Sequence, residues 1–286
     1  MKTIFFNSYE NRLRSGWRIL IFSSLLFSFI IVFSLITGGN IGFTIPTAIL
    51  TILLLFFAAK KLDKREISEY GFKNPRIWFR DFLAGFVMAA IAMSSIVLIK
   101  IQMGWSTIEQ FQISLIETSF LWGISLSFIL MLAVSFWEEV YFRSYLITNL
   151  REGFMFRKVG QSGAMLIAVL LSSAFFGLLH YGNPNASWVS TLNISIAGLV
   201  FAYPYIITKS IAIPIGMHLS WNFFQGAVYG LPVSGNQFEE MFMVVNTTGP
   251  EVFTGGSFGP EAGAAGLLGL MILLTLNEIY CTLINK

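Results

Sequence analysis

The sequence has few of the residues with which soluble proteins cover their surface. Only 12% of its 286 residues are Asp, Glu, Lys or Arg, about half the share found in soluble domains. Cys281 is its only cysteine, which excludes an internal disulfide, a CxxC redox pair and a thiolate zinc cage. The net charge of +3 is too small for the basic surface of a nucleic-acid-binding protein. We therefore expect neither a soluble globule nor a nucleic-acid partner.

The chain is instead rich in apolar residues, which make up 55% of it and include 29 phenylalanines. A transmembrane helix needs about 20 mostly apolar residues, and eight segments reach or approach that length. They are Trp17–Ile36, Thr44–Ala59, Phe82–Ile101, Ser119–Trp137, two segments between Val159 and Thr208 that are separated at Gly182–Asn185, Ile211–Tyr229 and Ala262–Ile284. The sequence thus predicts an all-α polytopic membrane protein. We expect a single integral membrane domain over residues 1–286, a bundle of about eight transmembrane helices whose first partner is the lipid bilayer.

Basic residues occur in alternate connections between these spans. On one side they are Arg12, Arg14, Arg18, Lys60, Lys61, Lys64, Arg65, Lys73, Arg76, Arg80, Arg151, Arg157, Lys158, Lys209 and Lys286. On the other side only Lys100 is basic, whereas Glu239, Glu240, Glu251 and Glu261 occupy the connection between the seventh and eighth spans. Because loops rich in Lys and Arg stay in the cytoplasm, the pattern predicts a multi-pass protein with both termini cytoplasmic.

Six polar or charged residues lie in the fifth and seventh spans or follow directly on the fourth, where ionisable groups are costly and mark functional sites by default. They are Glu138, Glu139, Arg143, His180, His218 and Asn222. Glu139 and Arg143 are four residues apart on a helix, so they share a face and can form an ion pair. Glu138 is rotated by about 100° from Glu139, so it does not share a face with Arg143 and does not pair with it. The spacing therefore predicts one paired carboxylate and one that is free for a chemical role.

Each of these residues also has a structural explanation. The Glu139–Arg143 pair could mark the end of a helix, and either histidine could pack with a hydrogen bond to a neighbouring helix. All six together are expensive to bury in lipid unless they meet in one polar intramembrane cavity, which we therefore expect. With upright helices, His180 lies at the far end of its span and His218 only about two turns into its own. A shared cavity then requires tilted helices, or a fifth helix that starts well above the membrane surface.

The same residues form three motifs in a fixed order. Glu138–Arg143 fits EExxxR, Phe176–His180 fits FxxxH and His218–Asn222 fits HxxxN, each on a predicted span. Together they resemble the CPBP family of intramembrane endopeptidases, which includes CAAX prenyl endopeptidases and bacteriocin self-immunity proteins. The motif-bearing core covers residues 117–230 approximately. The segment Arg14–Arg18 resembles the N-terminal boundary of bacterial members, which implies a bacterial cell membrane.

The resemblance implies an intramembrane endopeptidase that hydrolyses peptide bonds of membrane-associated protein or peptide substrates. By analogy, Glu138 and His180 activate the water molecule, and His218 and Asn222 stabilise the oxyanion. Glu139, Arg143 and Phe176 have supporting roles around them. The substrate is expected to enter a cytoplasm-facing or lipid-open cavity.

Metal dependence has two interpretations. Glu138, His180 and His218 match the His₂Glu ligand set of catalytic zinc sites, but without an HExxH motif the site would have to be assembled from three helices. We favour a metal-free mechanism without a cofactor, because it uses Asn222 and both glutamates, and zinc is the alternative.

Two other classes of function compete with hydrolysis. In a transporter, the polar cluster would form a proton or substrate path, although the two halves of the chain show no repeat of the kind many transporters have. In a non-catalytic scaffold or bacteriocin-immunity protein, the family fold would be kept without the reaction.

Overall fold

The computed structural model describes residues 2–112 and 118–284 of the chain as a helical bundle. In these ranges the α-helices are α1 (Lys2–Phe5), α2 (Ser15–Ile36), α3 (Thr44–Phe57), α4 (Pro75–Gln102), α5 (Thr118–Glu139), α6 (Ile147–Gly153), α7 (Gly160–Leu179), α8 (Trp188–Thr208), α9 (Ala212–Phe223), α10 (Glu251–Thr254) and α11 (Ala264–Ile284). Two antiparallel pairs join β1 (Phe6–Asn7) to β2 (Arg12–Leu13) and β3 (Ser106–Phe111) to β4 (Met243–Thr247). The predicted domain ends, Met1 and Lys286, and the predicted start of the core at Glu117 lie outside the described residues.

In the part of the chain that the structure describes, seven helical segments are long and apolar enough to cross a membrane. They are Ser15–Ile36, Ile41–Asp63, Ile67–Gln102, Phe120–Gly153, Gly160–Gly182, Trp188–Thr208 and Ala264–Ile284. The all-α fold and the integral, multi-pass character predicted from the sequence are confirmed. In the fourth segment, α5 continues without a break through a π-helix at Val140–Leu146 into α6.

The predicted seventh span, Ile211–Tyr229, has a different form. Its α-helix, α9, has 12 residues and continues as a π-helix over Phe224–Val228. Twelve residues span about 18 Å, which is less than the roughly 30 Å of the hydrocarbon layer. Every residue from Ala212 to Asn222 is buried, so α9 is surrounded by protein. The expected eight long spans are therefore seven, together with one short central helix whose apolar run reflects core packing.

Two glycines bring α9 into direct backbone contact with α4. A Cβ atom at Gly85 would lie 2.3 Å from the carbonyl oxygen of Ile213, and one at Gly216 would lie 2.1 Å from that of Phe82. Any side chain at either position would push the two helices apart, because such distances are far below van der Waals contact. This close packing fixes the position of the α9 residues that follow, including His218.

Candidate active site

Glu138 and Glu139 are the last two residues of α5, and the π-helix Val140–Leu146 begins directly after them. All residues of this π-helix are buried, and single π-helical turns occur frequently at functional sites. Glu139 Oε2 lies 3.1 Å from Arg143 Nε. The ion pair predicted from the four-residue spacing is therefore confirmed, although the backbone between the two residues is wider than an α-helix.

Arg143 is fully buried among aromatic rings. Its guanidinium carbon lies 4.1 Å from the ring centroid of Phe176, and further centroids lie 5.6 and 5.8 Å away, at Phe201 and Phe142. Desolvated cation–π contacts of this kind contribute about 2 kcal/mol. The first residue of the FxxxH motif, Phe176, thus stabilises the buried charge of the EExxxR motif.

His218 lies between the two glutamates. Its Nδ1 is 2.8 Å from Glu139 Oε1, and its Nε2 is 3.8 Å from Glu138 Oε2. An ionised carboxylate can only accept a hydrogen bond, so Nδ1 carries the proton that it donates to Glu139. The Nε2 atom is then directed towards Glu138. Sequence spacing had paired Glu139 with Arg143 alone and did not predict its second contact, with His218.

His180 is held by its own helix. It follows α7 directly, and its Nδ1 lies 2.8 Å from the backbone oxygen of Phe176. A carbonyl oxygen accepts, so Nδ1 is again the donor. The rings of Phe176 and His180 are 4.7 Å apart. Both histidines therefore have Nδ1 anchored, which leaves Nε2 for the cavity.

The helix that carries His218 begins inside the bundle. The backbone N–H of Ile211, just before α9, donates to the carbonyl oxygen of Gly71 at 3.1 Å. The neighbouring carbonyl, of Tyr70, accepts from Ser144 Oγ at 2.6 Å. The start of α9 is therefore level with Ser144 in the π-helix, and His218 lies seven residues further.

The helix that leads into His180 is α7, and it begins well before the chain reaches the level of the π-helix. Ser172 Oγ donates to the carbonyl oxygen of Phe142 at 2.8 Å, twelve residues after α7 starts at Gly160, which corresponds to about 18 Å. His180 lies eight residues beyond Ser172, a rise similar to that of His218 above its own reference level. The early start of α7 and the internal start of α9 therefore bring the two histidines to similar heights.

The predicted catalytic residues line one cavity of about 770 Å³. Glu138, His180, His218 and Asn222 all line it, as does Phe176. Glu138 is 8% exposed, and its Oε2 has no hydrogen-bond partner among the described residues. The shared cavity predicted from the sequence is therefore present, and one of the carboxylates that line it, Glu138, has an oxygen without a hydrogen bond.

The cavity is also lined by residues that sequence spacing did not identify. They are Asn183, Asn193, Glu239, Glu240 and Glu261. Glu261 accepts hydrogen bonds from the backbone N–H of Ser234 at 2.8 Å and from Gln225 Nε2 at 3.0 Å, while burial raises the pKa of its carboxyl. Most of these residues lie in connections without a helical period, so no spacing could have assigned them to the cavity.

The cavity opens at the end of the bundle opposite the basic loops. Its lining includes Gly39–Thr44, the turn between α2 and α3, and Gly123 near the start of α5. The other ends of these helices carry Arg18, Lys60 and Arg151. The expectation of a cytoplasm-facing or lipid-open cavity stays a prediction, because only the positive-inside rule assigns the basic loops to the cytoplasm.

The zinc alternative can be tested against the arrangement of the donors. Within the described ranges, 2–112 and 118–284, no three His, Cys, Asp or Glu side chains form a group that could hold a metal ion. The candidate set Glu138, His180 and His218 lines the cavity without forming such a group. The choice between a metal-free mechanism and zinc therefore stays a prediction, which metal analysis of the purified protein tests.

Comparison with known proteins supports the motif analysis. Residues 118–224 match the family described as Type II CAAX prenyl endopeptidase Rce1-like, which confirms the predicted resemblance. The chain is also 25% identical over 261 residues to the uncharacterized protein YyaK of Bacillus subtilis (strain 168), an alignment that covers 79% of this chain and 83% of that protein. No solved structure matches the chain.

Proposed function

We propose that this protein is an intramembrane endopeptidase, a proposal supported by the match of residues 118–224 to the Rce1-like family of CAAX prenyl endopeptidases. Its substrates are membrane-associated proteins or peptides, and Glu138 activates the water molecule that cleaves them. The observation that carries the proposal is that Glu138, whose Oε2 has no hydrogen bond among the described residues, lines the same cavity as His180, His218 and Asn222. A carboxylate near an imidazole in a partly desolvated cavity is a usable general base.

The first step is the attack of water on the carbonyl carbon of the scissile peptide bond. Glu138 removes a proton from the water as the C–O bond forms, and the carbonyl oxygen becomes an oxyanion. The Nε2 atom of His180 accepts a hydrogen bond from the same water and orients it. Glu138 then passes its proton to the leaving nitrogen, so the C–N bond breaks without an additional acid.

Asn222 and His218 stabilise the oxyanion. The side-chain N–H of Asn222, a residue that is 7% exposed and lines the cavity, donates directly. His218 has its Nδ1 proton committed to Glu139, so it donates from Nε2 only as an imidazolium. Glu139 provides the negative charge that stabilises this cation, which gives the second glutamate of EExxxR a role in positioning as well as in the ion pair with Arg143.

Orientation and location complete the proposal. The positive-inside rule supports basic loops and both termini in the cytoplasm, and the resemblance of Arg14–Arg18 to bacterial family members supports a location in a bacterial cell membrane. Seven long apolar helices support a multi-pass protein in either orientation.

The experiment that tests the proposal compares membrane peptides from cells that carry the intact protein or Glu138→Gln. Gln keeps the size of the side chain and loses the base, so cleavage should fall by at least about 10²-fold, and precursor peptides should accumulate. Glu278→Gln is the matched control, because Glu278 is exposed, contacts Tyr203 and is not part of the cavity lining. Equal peptide profiles for the intact protein and Glu138→Gln would favour the non-catalytic interpretation.

A further inference from the structure

The cavity that contains the candidate site has ionisable groups of one sign. Apart from the two histidines, the ionisable residues in its lining are Glu138, Glu239, Glu240 and Glu261. Among the described residues that line it, none is a lysine or an arginine. The whole chain has a net charge of +3, so the charge of the cavity is opposite to that of the molecule.

Two of these glutamates lie at the rim. Glu239 is exposed and Glu240 is half-buried, and no ion pair within residues 2–112 and 118–284 neutralises either of them. The side chain of Glu240 lies against α5, because a Cβ atom at Gly123 would be 2.4 Å from Glu240 Cγ. Both carboxylates therefore keep their charge available to a molecule that enters the cavity.

The distance from the rim to the candidate base can be measured along α5. The cavity follows one face of this helix from Gly123 to Glu138. Fifteen residues of α-helix rise about 22 Å. An extended peptide advances about 3.3 Å per residue, so a segment with its scissile bond at Glu138 has a residue about six or seven positions away beside Glu240.

Carboxylates in a cleft with low-dielectric walls produce a focused negative potential. A Lys or Arg side chain at the rim meets opposite charge, whereas Asp or Glu meets charge of the same sign. On the assumption that the proposed endopeptidase activity holds, we propose that Glu239 and Glu240 determine specificity. They bind a basic residue about six or seven positions from the scissile bond of a peptide that enters from the face opposite the basic loops.

The test uses the full chain in detergent and three synthetic peptides that share one apolar central sequence. The peptides carry Lys, Ala or Glu six residues from the centre, in versions with the substitution on either side, and mass spectrometry locates the cleaved bond. The expected kcat/KM for the Lys peptide exceeds that for the Glu peptide by at least about tenfold. The double variant Glu239→Gln/Glu240→Gln should bring the Lys peptide to the rate of the Ala peptide.

The matched control is Glu109→Gln/Glu251→Gln, which makes the same change in charge on the same face but outside this cavity. It should keep the preference for Lys. As a measurement that needs no variant, the Lys-to-Glu ratio of the intact protein should fall when NaCl rises from about 50 to about 500 mM, because salt screens exposed charges.

The outcomes separate this inference from the proposed function. Cleavage of the Ala peptide that requires Glu138, without a preference for Lys or with a preference that survives the double variant, overturns the charge selection alone. Failure to cleave any of the three peptides, or equal cleavage by Glu138→Gln, overturns the endopeptidase and the inference with it.

Discussion

Two buried clusters of charged and polar residues lie in this bundle, and they differ in how completely their charges are matched. The ion-pair cluster, near the basic loops, consists of Arg12, Arg18, Asp63, Arg65 and Glu152. Arg18 contacts both Asp63 and Glu152, and Glu152 also lies 2.8 Å from Arg65 and 3.2 Å from Arg12. In this cluster every carboxylate faces at least one guanidinium.

The site cluster, Glu138, Glu139, His180, His218 and Asn222, is less completely paired. Glu139 has two partners, whereas Glu138 Oε2 has no hydrogen bond and lies 3.8 Å from the nearest His218 nitrogen. In the ion-pair cluster Asp63 Oδ2 also has no hydrogen bond, but each carboxylate has an arginine partner. Glu138 has neither a lysine nor an arginine partner among the described ion pairs, and a carboxylate in that state in a cavity is a candidate for a functional role. The comparison separates a structural cluster from a chemical one.

Breaking the ion-pair cluster should have the largest effect on stability. In Arg18→Met, Asp63 stays buried without a counter-charge, which costs about 3–5 kcal/mol of unfolding free energy. Thermal unfolding in detergent measures the change, and the exposed Lys61→Met serves as the control. Adding Asp63→Asn should recover part of the loss, since the two side chains interact directly. A stable Arg18→Met protein would contradict the assignment of this cluster as structural.

Glu139→Gln tests a residue that belongs to the site cluster and also forms a buried ion pair, with Arg143. Gln fills the same space but does not neutralise Arg143 or stabilise a His218 imidazolium, so peptide cleavage should fall by about 10²-fold. Stability should fall as well, but by less than in Arg18→Met, because Arg143 keeps its aromatic contacts. Peptide assays and thermal unfolding on the same preparation measure both changes. Full activity would show that His218 does not depend on Glu139.

The smallest predicted effect concerns pH and Glu261. Burial raises the pKa of this carboxyl above its ordinary value of 4.5, so the folded protein binds its proton more tightly than the unfolded chain. The stability contributed by the residue therefore decreases as pH rises from about that value through the folded pKa. Glu261→Gln lacks this titration, and its melting temperature should rise relative to that of the intact protein over the same interval. A difference in melting temperature between Glu261→Gln and the intact protein that does not change with pH would contradict the prediction.

The parts predicted correctly from the sequence depend on local order along the chain. Hydropathy located seven of the long helices, and a spacing of four residues predicted the contact between Glu139 and Arg143. The apolar segment around His218 was taken for a long span because a helix in a protein core is as apolar as one in lipid. Its 12-residue length and complete burial depend on the helices packed around it.

The sequence by itself determined that most of this protein lies in lipid, that its basic residues occur in alternate loops and that its three motifs follow one order. These properties follow from the types of residue and their spacing. Only the tertiary structure decided that His218 bridges the two glutamates, that α7 and α9 start at different depths and that the rim glutamates join the cavity. These features depend on contacts between residues distant in the chain, such as Gly85 with Ile213 and Gly123 with Glu240. Such contacts are set by the packing of whole helices, which leaves no local period in the sequence.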